Sequence, residues 1–104
     1  MTEKEKYLPE IRTALGPRSL LESIAEEASE VAQAALKMVR AKGLSGNYTP
    51  VTEESAREKL FEELLDLLAV LDVANIFDIQ NLLNEEAEYW KWKRWRDRLY
   101  GVEH

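Results

Sequence analysis

The chain has 104 residues, the size of one domain. If it were divided into two domains, each would be too small to bury a stable core without disulfides or metals. It contains no cysteine, which excludes a disulfide scaffold and thiolate metal sites and leaves oxygen ligands for any metal. The formal net charge of -6 argues against nucleic-acid binding, which relies on Lys and Arg at phosphates. We therefore predict a single domain over residues 1–104 that binds no nucleic acid.

The N-terminal segment, MTEKEKYLPEIR, has no apolar run of signal-peptide length. In the rest of the chain, acidic residues interrupt the apolar stretches well before 18 residues, the length that a membrane helix needs. The sequence therefore favours a soluble, cytoplasmic protein without a membrane partner.

Apolar residues recur at helical spacing through the chain, with no alternating strand pattern. The pattern predicts a short first helix over about residues 3–14, ended by Gly16 and Pro17. A second helix is predicted over about residues 20–42, with Ser19 and Glu22 as its capping box.

The second half of the chain continues the helical pattern. Residues 43–51 carry turn-forming chemistry and predict a loop, and Thr52 with the acids behind it predicts the start of a third helix over about residues 53–75. From Leu60 onward this helix is apolar almost all round, as a central helix should be. After a weak break at residues 75–78, a last helix is predicted to run to about Tyr100. The fold class is therefore all-α, an antiparallel four-helix-type bundle.

Two pairs of carboxylates stand at i and i+3 on the predicted helices, Glu27 with Glu30 and Glu63 with Asp66. This spacing puts both members of a pair on one face of a helix. Apolar residues lie on both sides of Glu63 and Asp66, and a buried carboxylate without a partner costs several kcal/mol or takes up a proton. The acids therefore need cations, and two kinds remain open: a divalent metal such as Mg²⁺ or Mn²⁺, or a buried salt bridge to Lys or Arg.

The order EExxE, loop, EExxD within an apolar helix resembles the all-α nucleoside triphosphate pyrophosphohydrolase superfamily, the MazG-like proteins, over about residues 20–71. The resemblance implies that Glu27, Glu30, Glu63 and Asp66 bind Mg²⁺, with Mn²⁺ as a second possibility. It implies the MazG-like bundle as the fold. It also implies hydrolysis of a nucleoside or deoxynucleoside triphosphate to the monophosphate and pyrophosphate.

A late basic element occurs in many MazG-like proteins, and Lys91 and Arg94 in EYWKWKRWRDRLYG look similar to it. The resemblance implies that these two residues contact the substrate. It also implies a site completed by a neighbouring subunit. A central helix that is apolar on every side likewise favours a homodimer or a dimer of dimers, because one short chain cannot readily cover it.

Two alternatives remain open at the level of function. Within the same class, a phosphoribosyl-ATP pyrophosphohydrolase would use a similar run of acids and leucines. In another class, the chain is a non-catalytic helical interaction module. Its acids then pair with the basic last helix, and its tryptophans, Trp90, Trp92 and Trp95, form a surface for a partner.

Overall fold

The computed structural model describes residues 1–44, 46 and 51–101 of the chain. In these residues the secondary structure is helical without a strand, which confirms the all-α class. The helices are α1 (Glu3–Ala41), α2 (Glu53–Ala74), α3 (Ile79–Leu82) and α4 (Glu85–Leu99). Most of the predicted loop at residues 43–51 lies outside the described residues. The chain forms two compact units, Met1–Ala74 and Asn75–His104, and the single-domain assignment stays a prediction.

The predicted break at Gly16 is present, but it is a kink within α1 instead of a gap between two helices. Gly16 has φ 69° and ψ 168°, a backbone region that essentially only glycine adopts. Pro17 follows, and a proline suits a first helical position because it has no N–H to satisfy there. The predicted capping box is wrong, since the helix resumes before Ser19. The carboxylate of Glu22 instead accepts a hydrogen bond from Arg18 Nε at 2.8 Å.

The other boundaries of the first unit follow local rules that the sequence displays. Gly43 has φ 71°, and the Leu44 N–H donates to the Val39 carbonyl, a six-residue closure typical of a glycine helix stop. At the start of α2, the Thr52 hydroxyl accepts a hydrogen bond from the Ser55 N–H at 3.1 Å. The predictions for the end of α1 and the start of α2 are therefore confirmed to within a residue or two.

Helices α1 and α2 pack against each other in opposite directions. Near the beginning of α1, Arg12 contacts the last turn of α2, and just after the end of α1, Lys42 pairs with Glu53 in the first turn of α2 at 2.7 Å. Among the residues whose burial the structure describes, the buried apolar ones all belong to this pair of helices: Leu20, Ala34, Ala56 and Val73. A four-helix bundle stays a prediction, and the arrangement that the structure gives for the first unit is this antiparallel pair.

The C-terminal end of α2 is held by a side chain from α1. Arg12 donates from Nε to the Val73 carbonyl at 2.7 Å and from Nη2 to the Asp72 carbonyl at 2.9 Å. The last carbonyls of a helix have no partner within it, and α2 has no basic residue in its own last turn. Lys4 adds an ion pair to the Asp72 carboxylate at 2.7 Å. The N-terminal part of α1 is thereby attached to α2.

In the second unit, the predicted single last helix is two helices. The Asp78 carboxylate accepts from the Gln80 N–H and caps α3, and the Asn84 side chain accepts from the Glu86 N–H at the start of α4. A side chain that caps in this way offers the backbone an alternative to continuing the helix, and a break results. Gly101, with φ 69°, follows α4 where the sequence predicts its end.

Large apolar side chains remain exposed on α2. Phe61, Leu64, Leu65 and Leu68 are exposed, and 63% of the Phe61 surface is accessible to solvent. The α1–α2 pair therefore leaves much of the apolar surface of α2 uncovered. No helix among the described residues has both the length and the hydropathy to cross a membrane.

Candidate metal centre

Three of the four predicted acids meet where α1 faces α2. Glu27 belongs to α1, and Glu63 and Asp66 are one helical turn apart on α2. One carboxylate oxygen from each lies within 4.8 Å of the other two. The i, i+3 spacing places the two α2 acids on one face, and the antiparallel packing brings Glu27 across to them.

The three acids of the cluster differ in their exposure to solvent. Glu63 is 6% exposed, Glu27 is half-buried and Asp66 is exposed. A cation could therefore approach from the side of Asp66 and still reach the buried Glu63. The donor set consists of carboxylate oxygens, which are the ligands that Mg²⁺ and Mn²⁺ prefer, and Mg²⁺ commonly uses one or two carboxylates together with water. The residues present thus fit a hard divalent cation.

The Glu27 carboxylate is affected by the loss of solvent around it and by the neighbouring acids. Removal of solvent around its carboxylate, and then the charges of Asp66 and Glu63, raise the pKa of Glu27 above its ordinary value. Glu30 and Glu26 act in the same direction. The cluster therefore carries an excess of negative charge that a bound cation would relieve.

One positive charge already stands at the cluster. The Lys59 ammonium lies 2.8 Å from Glu63 Oε1, across one turn of α2. The hydrogen bond to Glu63 and the charge of Glu63 raise the pKa of Lys59, and Glu62 and Glu30 add smaller effects. Of the two kinds of cation that the sequence left open for Glu63, the structure shows the lysine. Lys59 was not among the residues predicted from the sequence to belong to the site. Its position four residues before Glu63 on one helix could have indicated the ion pair.

Glu30 is exposed and does not belong to the group of three. Its charge raises the pKa of Glu27 and of Lys59, so it lies near enough to be felt by both residues. Its role as a fourth metal ligand stays a prediction.

Lys91 and Arg94 lie exposed on α4, in the second unit. On the same helix, Lys93 and Arg96 pair with the buried Asp97 at 2.9 Å and 3.4 Å. The substrate contacts of Lys91 and Arg94 stay predictions.

The aromatic residues of α4 form edge-to-face pairs. The Tyr89 ring packs against Trp90 at 5.4 Å and against Trp92 at 4.9 Å between ring centroids. Trp90, Trp92 and Trp95 each remain half exposed or more. Exposed tryptophans of this kind suit contact with a partner.

Comparison with protein-family models, with curated proteins and with solved structures found no match to this chain. Membership of the MazG-like superfamily therefore stays a prediction from the sequence motifs, three residues of which, Glu27, Glu63 and Asp66, form one cluster.

Proposed function

We propose that the chain is a Mg²⁺-dependent nucleoside triphosphate pyrophosphohydrolase, which converts a nucleoside or deoxynucleoside triphosphate to the monophosphate and pyrophosphate. The observation that carries the proposal is the cluster of Glu27, Glu63 and Asp66, assembled from two helices with one member buried. The EExxE and EExxD motifs that supply these residues support the same function.

In the proposed mechanism, Glu27, Glu63 and Asp66 hold the cation, with Glu30 beside them. A bound Mg²⁺ supplies charge neutralisation for the triphosphate and lowers the pKa of water. One glutamate of α1, Glu30 or Glu27, would act as the general base. It would take the proton from the water that attacks phosphorus, while the anhydride bond to the departing pyrophosphate breaks.

Lys91 and Arg94 would stabilise the charge that develops on pyrophosphate, as positioned cations do in phosphoryl transfer. In this proposal the chain acts as a homodimer or a dimer of dimers, so that the basic residues of one protomer can serve the acids of another. The uncovered apolar surface of α2 supports such an assembly.

Pyrophosphate release tests the reaction directly. The chain is incubated with a panel of ribo- and deoxyribonucleoside triphosphates, with Mg²⁺, with Mn²⁺ and with chelator. Release that requires metal supports the proposal and ranks the bases. Release from phosphoribosyl-ATP alone moves the assignment to that enzyme class, and silence with every substrate contradicts a pyrophosphohydrolase.

A non-catalytic helical module is the second candidate, favoured by the Lys59–Glu63 ion pair and by the exposed tryptophans of α4. The two candidates differ in their response to metal. A cation that binds the native state stabilises it by mass action, by about 2.7 kcal/mol at a hundredfold excess over Kd, and so raises the melting temperature. Melting curves in Mg²⁺ and in chelator, at matched ionic strength, should differ for the enzyme and coincide for the module.

A further inference from the structure

Lys59 is placed to neutralise the innermost acid of the cluster. Its Nζ lies 2.8 Å from Glu63 Oε1, and Glu63 is 6% exposed. The lysine side chain itself keeps 53% of its surface. A buried carboxylate thus has its positive partner on a flexible stem that reaches in from solvent.

The ammonium is thus paired with one member of the group of three carboxylates. One carboxylate oxygen from each of Glu27, Glu63 and Asp66 lies within 4.8 Å of the other two, and the lysine nitrogen contacts Glu63. A divalent ion held by the same carboxylates would stand only a few ångström from a positive charge. Two cations at one carboxylate repel each other, and this repulsion weakens the binding of the divalent ion.

We infer that Lys59 is a resident counter-ion that competes with the divalent cation for Glu63 and so sets the metal affinity of the cluster. The inference rests on the proposed function, because it concerns the same three acids. Lys59 stabilises the metal-free protein by matching the charge of Glu63, and the entering cation displaces its ammonium. The displacement needs only a turn of the side chain, since both residues stay on α2.

Metal binding by variants of the full chain tests the competition. Mn²⁺ alone is titrated and followed by its electron paramagnetic resonance signal, which is lost on binding. Lys59→Gln keeps a hydrogen-bond donor for Glu63 and removes the charge. We expect it to bind Mn²⁺ about tenfold more tightly, because a unit charge a few ångström from a divalent ion matters by about this factor even at the dielectric constant of water. Lys59→Arg keeps the charge and should bind as the natural chain does.

Lys42→Gln is the matched control. It removes the charge of another Lys–Glu pair, Lys42 with Glu53 at 2.7 Å, in the same unit. Glu53 precedes Glu63 by ten residues on α2, which is about 15 Å along a helix. The Mn²⁺ affinity of the Lys42→Gln variant should therefore equal that of the natural chain.

A measurement on the unaltered protein covers the case in which Lys59→Gln does not fold. The ¹⁵N resonance of the Lys59 ammonium is followed by NMR while Mg²⁺ is added. We expect it to move from the position of an ion-paired lysine towards that of a free one, while the Lys42 resonance stays. A Lys59 resonance unchanged at saturating Mg²⁺ overturns the inference.

The outcomes separate the inference from the proposed function. If the natural chain binds Mn²⁺ and Lys59→Gln binds it no more tightly, the counter-ion role is overturned while the metal site stands. If Lys59→Gln binds Mn²⁺ and the natural chain does so only weakly, competition by Lys59 is supported. If neither protein binds Mn²⁺, the metal site fails and the inference fails with it.

Discussion

Within the acidic cluster, Glu63 combines burial with a charged neighbour on its own helix. Removing a carboxylate from water costs free energy that a nearby cation offsets, and here Lys59 supplies that positive charge at 2.8 Å. The sequence pointed to Glu63 because apolar residues surround it on the helix. It did not separate the metal from the lysine as the compensating cation, because both satisfy the same electrostatic requirement.

Replacing Glu63 by Gln should abolish metal-dependent pyrophosphate release and leave the fold intact. The amide oxygen can still accept from Lys59, and a buried charge is removed, so the free energy of unfolding in chelator should be unchanged or higher. Urea unfolding and the pyrophosphate assay measure the two effects. Glu10→Gln, at an exposed position on α1, is the control and should keep both properties. Turnover retained by Glu63→Gln would exclude this residue as a metal ligand.

Acid should remove the contribution of the Lys42–Glu53 pair to stability. The hydrogen bond and charge of Lys42 hold the pKa of Glu53 below its ordinary value of 4.5, and Arg57 adds to the effect. The folded protein therefore holds this proton less tightly than the unfolded chain does. The stabilisation is complete above the unfolded pKa and is lost as the pH falls through the lowered folded value.

Urea unfolding of the natural chain and of Lys42→Gln, between neutral pH and about pH 3, checks this sign. The natural chain should be the more stable at neutral pH, by a small margin because the pair is exposed to solvent. The margin should close as the solution is acidified. A margin that widens towards low pH would contradict the assignment.

At the scale of elements, the sequence predicted best where a boundary depends on one residue. Gly16, Gly43 and Gly101 all have positive φ at or near a predicted break, because glycine alone adopts these conformations without strain. The start of α2 at Thr52 followed from its capping hydroxyl in the same way.

Boundaries that depend on competition between partners were predicted less well. The sequence offered Ser19 and Glu22 as a capping box, but Pro17 begins the helix earlier and Arg18 takes the Glu22 carboxylate. The break at Asn84 was missed, because an asparagine caps a helix or lies within one according to its surroundings. The assembly of Glu27 with Glu63 and Asp66 depended on the packing of α1 on α2, for which the sequence supplied the faces and not the register.

The link between α1 and the end of α2 should be one of the stronger polar contacts in the first unit. Arg12 donates two hydrogen bonds to main-chain carbonyls at 2.7 Å and 2.9 Å. Arg12→Gln should lower the free energy of unfolding by about 2 kcal/mol, because hydrogen bonds from a charged donor contribute on that scale. Urea unfolding provides the measurement.

Arg18→Gln is the matched control for Arg12→Gln. Arg18 lies on the same helix and makes an exposed i, i+4 pair with Glu22, which should contribute less than about 0.5 kcal/mol. Equal losses for the two variants would show that the carbonyl contacts add nothing to stability.

At the scale of the whole molecule, the uncovered surface of α2 favours association with a second copy. Phe61 and Leu65 lie one turn apart on an exposed face, and residues of both charges, Arg57, Glu58 and Glu62, flank them. An apolar centre with a rim of mixed charge is suited to pairing with itself. The prediction of a homodimer or dimer of dimers from the sequence used the same surplus of apolar surface.

Analytical ultracentrifugation at micromolar concentration should therefore detect a dimer or a larger assembly. The double substitution Phe61→Lys and Leu65→Lys should shift the equilibrium towards the monomer, because it places like charges in the contact. Leu44→Lys, at an exposed leucine beyond the end of α1, should leave the equilibrium unchanged. A natural chain that sediments as a monomer at every concentration would contradict the assembly.

The contact made by Arg12 constrains the amino acid at position 12 but not the amino acids on the other side of the contact. Its acceptors are the carbonyl oxygens of Asp72 and Val73, which every amino acid carries. Substitutions at these two positions can change their side chains without erasing the acceptors, whereas position 12 must keep a long cationic donor. Covariation between the two helices would consequently give no sign of this contact, and a scan of single substitutions would locate it at position 12 alone.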